Sequence, residues 1–215
     1  QAMLEEQKRF VGDASHELRT PLTALKSMLE VGLRDKKMKI KEARKLISES
    51  IEETDNLKKL SDSLLELAQE NGNKIIFEKV KIKEVVIDAI KKTENRALRK
   101  KIKIISKIKN STAKGNKEKL SEVLVILLDN AIKYSPKNSQ IKIVAKEGRE
   151  QTIIKVIDKG IGIEKKDLPY IFERFYRADI ARSHQGENGY GLGLSIAKKI
   201  VEEHRGKIMA RSEIG

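Results

Sequence analysis

Residues 15–22 read SHELRTPL. His16, one of three histidines in the chain, stands directly before Glu17 and five residues before Pro21. Imidazole is nucleophilic near neutral pH, and an adjacent carboxylate can orient it or take its proton. At about 100° of turn per residue, His16 lies about 200° from Leu18 on a helical wheel, off the apolar stripe and pointing outward. That placement suits a plain surface histidine as well as a nucleophile or acid–base group. The His–Glu pair by itself does not decide between them. Pro21 removes a backbone N–H just past His16 and weakens the helix there.

Three further stretches hold groups suited to phosphate or nucleotide chemistry. DKGIGI (158–163) follows a strand-like run, and GYGLGL (189–194) opens onto a helical pattern. A glycine-rich loop at a helix N-terminus lets backbone N–H groups and the helix dipole meet phosphate. Neither loop is G-x-x-x-x-G-K-[ST], and no βαβ dinucleotide unit surrounds them. Each alone is weak. The pair, separated by ADIARSHQGEN (178–188), suggests a nucleotide pocket with a lid. Asp158, at a strand end, can accept from the exocyclic amino group of a base. In LLDNAIKYS (127–135), Asn130, Lys133 and Tyr134 fall at i, i+3 and i+4 on one helix face. An amide oxygen can bind Mg²⁺, an ammonium can bind phosphate, and a ring can cover a base. An ordinary polar helix end would carry the same residue types.

These residues need elements to hold them. In residues 1–70, Val11, Ala14, Leu18, Leu22, Leu25 and Leu29 recur at three- and four-residue steps, which predicts a helix. RDKKMKIK (34–41) predicts a turn. A second stripe, Leu46, Ser50, Glu53, Leu57, Leu60, Leu64 and Leu67, predicts a second helix whose later half is a heptad seam. Two helices and a short turn make an αα-hairpin. A further apolar row, Ile47, Ile51 and Leu65, exceeds what one partner helix covers. Dimerisation into a four-helix bundle is therefore expected. The competing reading is a monomeric hairpin packed on the second half.

NGN at 71–73 marks the expected hinge between domains 1–70 and 74–215. Strands are predicted at 74–80, 102–108, QIKIVAKE and TIIKVID, the last two joined as a hairpin around Gly148. Helices are predicted at 82–99, 117–134, near 165–176 and at 192–204, and GKIMARS begins a further strand. Sequential strands that can pair antiparallel, with helices on one face, give an α+β sandwich. Because the chain stops at SEIG, the sheet is expected to lack its last strand.

Composition sets outer limits. The 215 residues suffice for one or two domains, and no cysteine is present, so disulfides and thiolate metal sites are excluded. The longest purely apolar run, Val123 to Leu128, is far too short to span a bilayer. No signal peptide opens the chain, which starts in mid-helix pattern and reads as a fragment of something longer. The net charge of +14 is uneven: residues 1–70 carry −1 and residues 71–215 carry +15. Such asymmetry suits a polyanion such as nucleic acid, or the phosphates of ATP. Since the lysines alternate with apolar residues rather than forming a block, as in KIKIISKIK, a solubilising role is the preferred reading, and no nucleic-acid partner is expected.

Taken together, the motifs resemble those of the cytoplasmic core of a two-component sensor histidine kinase, over essentially all 215 residues. FVGDASHELRTPLTAL resembles the phosphoacceptor box, LLDNAIKYS the Asn box and DKGIGI the first Gly box. IFERFYR resembles the Phe box and GYGLGLSI the second Gly box. Five motifs in the family's order are a specific signal. The resemblance implies an all-α dimerising hairpin followed by an α+β ATP-binding domain of the Bergerat type. It implies that His16 accepts the γ-phosphoryl group of ATP, that Glu17 is the general base, and that Thr20 positions water for dephosphorylation of a partner regulator. Pro21 would permit a bend. Asn130 would hold Mg²⁺, Lys133 would reach phosphate and Tyr134 would line the nucleotide site. Asp158 would bond the adenine amino group, and Gly160 and Gly162 would let the backbone approach the base. Gly189, Gly191 and Gly193 would shape the lid's return past the phosphates. Arg177 would stabilise phosphate charge, and Phe172 and Phe175 would pack the lid's hinge. The implied partners are a second copy and the receiver domain of a response regulator. The parent would be anchored in the bacterial cytoplasmic membrane through a missing N-terminal region, with this part in the cytoplasm.

One residue departs from the pattern. The family commonly has a second Asn one turn before Asn130, and this chain has Ile126. Weaker Mg²⁺ coordination is expected, with Asp129 about 100° round the helix and a poor substitute. His184 falls in the lid, and His204 suits helix C-capping better than catalysis. The rival classes are an ATPase of the same nucleotide fold, which needs no exposed histidine on a hairpin, and a dimerisation module with a degenerate site.

Overall fold

A computed structural model describes residues 2–68, 76–109, 111–148, 151–178 and 189–214. The chain divides into two compact units, 1–70 with 188–192, and 71–187 with 193–215. The expected hinge at 71–73 lies outside the described residues.

The first unit is built on a hairpin of α1 (Ala2–Arg34) and α2 (Ile40–Ala68). Two local bonds make the turn. Asp35 Oδ1 accepts from the Lys37 N–H at 2.9 Å, and Glu42 reaches back to the Lys39 N–H at 2.9 Å. The second is half of a capping box, which fixes where α2 starts. Gly32 lies where the helices close together, since a Cβ there would come within 2.8 Å of Leu46 Cδ1. Of the stripe on α2, Leu60 and Leu67 are buried. The stripe on α1 splits: Ala14, Leu18 and Leu25 are partly covered, while Val11, Leu22 and Leu29 are exposed. Ile47, Ile51 and Leu65 are exposed as well. One partner helix therefore leaves two rows of aliphatic side chains uncovered.

The second unit orders β1 (Glu78–Lys81), α3 (Ile82–Arg99), β2 (Lys103–Ile108), β3 (Thr112–Gly115), α4 (Lys117–Tyr134), β4 (Gln140–Glu147), β5 (Thr152–Ile157) and α5 (Gly193–Glu203). β1 pairs antiparallel with β3, and a second sheet has the order β2-β4-β5. The β4–β5 hairpin is antiparallel as expected, but β2 pairs parallel with β4. The sheet is therefore mixed, because α4 carries the chain back across it before β4 begins. The core joins Val85, Val86 and Ala89 of α3 and Leu124 and Leu128 of α4 to Ile141 and Ile143 of β4.

Two expectations need correction. No ladder involves residues 206–214 among the described residues, so GKIMARS forms no strand here. Its end lies instead against the loop after β5, where Ile163 N–H donates to Ser212 Oγ at 2.9 Å. The helix expected near 165–176 is a run of turns, closed by bonds such as Tyr170 N to Asp167 O and Glu173 N to Tyr170 O. Pro169 supplies no N–H within it, and Phe175 has φ +62°, outside the right-handed region. β3 was not expected: TAKG is short and not apolar, and it is a strand only because β1 lies beside it.

Candidate active site

The helical unit presents His16 on a solvent-facing turn of α1. Its ring is exposed and Glu17 beside it is half-buried. Thr20, one turn on, turns its hydroxyl back to the helix and donates to His16 O at 3.3 Å. Ser15 and Thr23 do the same to Val11 O and Arg19 O, each at 2.8 Å. Pro21 is buried inside the helix and cannot donate to Glu17 O. The turn after His16 thus lacks one backbone bond and has side-chain back-bonds on either side, a combination that favours bending. A shallow cleft of about 550 Å³ lies round the helix from His16, lined by Ser15, Leu18, Arg19, Leu22, Thr23 and Lys26.

The other candidates belong to the second unit, around the end of α4. Asn116 caps that helix, its side chain accepting from the Lys119 N–H at 2.9 Å. Asn130, Lys133 and Tyr134 are all half-exposed in the last turns, with Lys133 Nζ 5.2 Å from the Tyr134 ring centroid. The loop after β5 closes on this helix end. Ile161 N–H donates to Tyr134 O at 3.3 Å, and Asp158 Oδ1 accepts from the Gly160 N–H at 2.8 Å. A Cβ on Gly160 would meet Asp158 Oδ1 at 2.8 Å and Tyr134 O at 3.0 Å. Gly162 has φ +77°, and a Cβ there would press into the Glu213 carbonyl. Both glycines are required by close backbone approach, which is how such a loop lets main chain rather than side chain face a ligand. Asp158 is exposed at its rim. Ser135, next after Tyr134, is buried, and its hydroxyl has no hydrogen-bond partner among the described residues.

Of the remaining glycine candidates, Gly193 starts α5 in the second unit, while Gly189 and Gly191 fall in the stretch 188–192 that groups with the first. Gly191 has φ +73°, and Gly193 packs so closely that a Cβ would lie 3.3 Å from Ile126 Cγ2. Gly189 is half-buried. Ile126 is therefore a packing residue for the start of α5. Asp129 lies with its carboxylate 3.0 Å from Arg96 Nε of α3. No cluster of three or more His, Asp or Glu suited to a metal occurs among the described residues. Half-exposed Asn130 offers one amide oxygen there, a donor type that suits Mg²⁺.

The Phe-box segment is held by Tyr176, whose hydroxyl donates to buried Asp167 at 2.7 Å, with the Tyr170 ring tilted against its own at 5.7 Å between centroids. Phe175 in the left-handed region is uncommon for a bulky residue and marks local strain. Phe172 and Arg177 flank it, both half-buried. Most of the lid stretch, with His184, lies outside the described residues. His204 is bonded at both nitrogens. Asn116 N–H donates to Nε2 at 3.0 Å, so Nδ1 carries the proton and donates to Ile200 O at 2.7 Å. It caps α5 and ties it to the start of α4. Of the residues missed in the sequence, Asp167, Tyr176 and Ser135 lie within or beside motifs and Ser212 lies far from any; all act through contacts that spacing does not reveal.

Two family models match: the His Kinase A (phospho-acceptor) domain over residues 6–73, and the histidine kinase-, DNA gyrase B-, and HSP90-like ATPase over residues 115–215. The chain belongs to the sensor histidine kinase family. Among curated relatives of the family, the signal transduction histidine-protein kinase ArlS of Staphylococcus haemolyticus is 37% identical over 211 residues. That match takes in 97% of this chain and 46% of the relative; for ArlS of Staphylococcus aureus (strain USA300) the share is 47%. The chain thus spans about half the length of the curated relatives it matches. Among solved structures, the histidine kinase AdeS of Acinetobacter baumannii superposes with TM-score 0.70 at 27% identity, covering 87% of this chain and 86% of that one. The histidine kinase ThkA, solved in complex with response regulator protein TrrA, gives TM-score 0.77 at 21% identity, with 95% and 57% covered, and bears on the fold alone. The expected helical hairpin followed by an α+β sandwich ATP-binding domain agrees with these matches.

Proposed function

We propose that this chain transfers the γ-phosphoryl group of ATP to His16 and then passes it to an aspartate on a response regulator. The observation that carries this reading is His16 itself. Its ring is exposed on a helix, and no bond to a described residue engages it, whereas His204 is committed at both nitrogens. In this reading Glu17 takes the ring proton as Nε2 attacks phosphorus, and ADP leaves. Lys133 and Arg177 stabilise phosphate charge, Asn130 would hold Mg²⁺, Asp158 reads the adenine amino group, and Tyr134 lines the base. Gly160, Gly162, Gly189, Gly191 and Gly193 keep the loops slim enough for backbone contact. Mg²⁺, when bound with the nucleotide, would screen the β- and γ-phosphate oxygens. Phosphoryl transfer needs positioning and charge neutralisation more than covalent help, which suits a division of labour between residues 1–70 and 74–215. Thr20 would guide water for the reverse step on the regulator.

The exposed rows Val11, Leu22 and Leu29 on α1 and Ile47, Ile51 and Leu65 on α2 support a homodimer with a four-helix bundle. A response regulator as partner belongs to the same reading, which rests on the family matches. No helix among the described residues is long and apolar enough to cross a membrane. Anchoring of a longer parent in the cytoplasmic membrane, with this part in the cytoplasm, belongs to the same proposal.

The test is incubation with γ-labelled ATP and Mg²⁺. Acid-labile, base-stable label on the protein is expected, and it is lost in His16→Gln. Label that persists in that variant overturns the assignment. Free phosphate without labelled protein would favour the rival ATPase reading.

A further inference from the structure

The outward face of the β2-β4-β5 sheet is unusual in its charge. Ile105 stands opposite Lys142 and Lys107 opposite Val144 in the β2–β4 ladder. On the other side Lys142, Val144 and Lys146 stand opposite Ile157, Lys155 and Ile153. Successive strand residues point to opposite faces, so all of these share one. The other face carries Ile141, Ile143 and Ala145 into the core against the helices. The outward face therefore presents Lys103, Lys107, Lys142, Lys146 and Lys155, interleaved with Ile105, Val144, Ile153 and Ile157. Ile153 and Ile157 are 42% and 46% exposed. None of the five lysines forms an ion pair with a described carboxylate. With strands about 4.8 Å apart and alternate residues about 7 Å apart, the ammonium groups crowd into a patch roughly 13 Å by 10 Å.

A solvated sheet face ordinarily mixes charges of both signs. This one has a single sign, no acid, no aromatic ring, and aliphatic side chains between the charges. We propose that it docks on an anionic lipid surface. A second copy of the same face would set five lysines against five. Single-stranded nucleic acid is recognised by stacking on aromatic rings, and none is present. A duplex would use the lysines but leave the isoleucines against phosphate. A lipid interface uses both: lysines meet headgroup phosphates, and Ile153 and Ile157 reach the acyl boundary. Docking this way leaves α4 and the loop after β5 on the free side of the unit. The inference does not depend on the kinase activity proposed above.

The experiment is co-sedimentation of the 215-residue chain with vesicles of phosphatidylcholine, alone or mixed with phosphatidylglycerol, at low and high salt. Binding is expected only to the mixed vesicles, and it weakens with salt. A lysine brought to an anionic surface contributes about fivefold, so Lys107→Glu/Lys142→Glu/Lys155→Glu should bind about a hundredfold less tightly or worse. The control Lys79→Glu/Lys83→Glu/Lys91→Glu has the same net charge and alters only exposed residues off this face. It should bind within a few-fold of the parent. If the triple variant melts early, Lys107→Gln/Lys155→Gln, at two exposed positions, should still show about a 25-fold loss. Equal losses in face and control variants would reduce the effect to net charge and overturn the proposal. So would absence of binding to mixed vesicles, or release of bound chain by equimolar duplex DNA.

Discussion

At the scale of single residues, the chain separates the groups proposed to react with or bind the nucleotide from groups that make room for them. His16 and Asp158 are exposed, while Gly160 and Gly162 are fixed by close backbone contacts. A left-handed non-glycine residue costs about 1–2 kcal/mol, and at Gly162 a side chain also strikes the Glu213 carbonyl. Gly162→Ala should therefore unfold in less urea than the parent by at least that amount, with weaker ATP binding measured by calorimetry. Ile126 is the residue-scale anomaly. Ile126→Asn places an amide one turn before Asn130, and the expected result is a several-fold lower Mg²⁺ concentration for half-maximal labelling. Lost packing on Gly193 should cost about 1–2 kcal/mol, measured by denaturant unfolding. An unchanged Mg²⁺ dependence would show that residue 126 does not face the nucleotide's metal.

At the scale of elements, helices were the most legible. The ranges 82–99 and 117–134 were expected and are observed as α3 and α4, because each has a long apolar period and Asn116 is a ready cap. The motifs likewise put His16 on α1 and Asn130, Lys133 and Tyr134 on α4, where they lie, while the helix expected around Phe172 and Phe175 is a run of turns. Contacts that depend on a distant partner were not legible. β3 exists by pairing with β1, and Gly162 is constrained by Glu213, more than fifty residues later. The 165–176 segment looked helical by composition but is broken by Pro169 and by Phe175 in a left-handed conformation. In α1, Pro21→Ala restores the bond to Glu17 O, and the expected outcome is a changed ratio of kinase to regulator-phosphatase activity. Equal change in both, with the helix geometry unaltered, would show the bend to be merely tolerated. Between α3 and α4, Lys92 and the Ser121 hydroxyl hold the Asp88 carboxyl below the usual carboxylate range. A carboxyl lowered in the folded state binds fewer protons there than when unfolded. Its stabilisation is present above the ordinary carboxylate pKa and is lost as pH falls through the lowered one. Asp88→Asn should therefore melt below the parent at neutral pH, and the gap should close on acidification.

At the scale of the molecule, the two units carry different burdens. The hairpin leaves Ile47, Ile51 and Leu65 exposed, so Ile47→Glu/Ile51→Glu should shift the chain to monomer in sedimentation velocity while ATP binding in residues 74–215 stays intact. A variant that remains dimeric would show that these rows are not the dimer interface. The parallel ladder between β2 and β4 has a kinetic consequence. Ile104 pairs with Ile141, so the ladder cannot zip up from a local turn and must wait until β3 and α4 are in place. The α1–α2 hairpin closes through a turn of a few residues and needs no such delay. Contacts distant in sequence slow folding because loop closure comes before any reward. Refolding from denaturant should thus show two clocks, with helical signal returning well before nucleotide binding does.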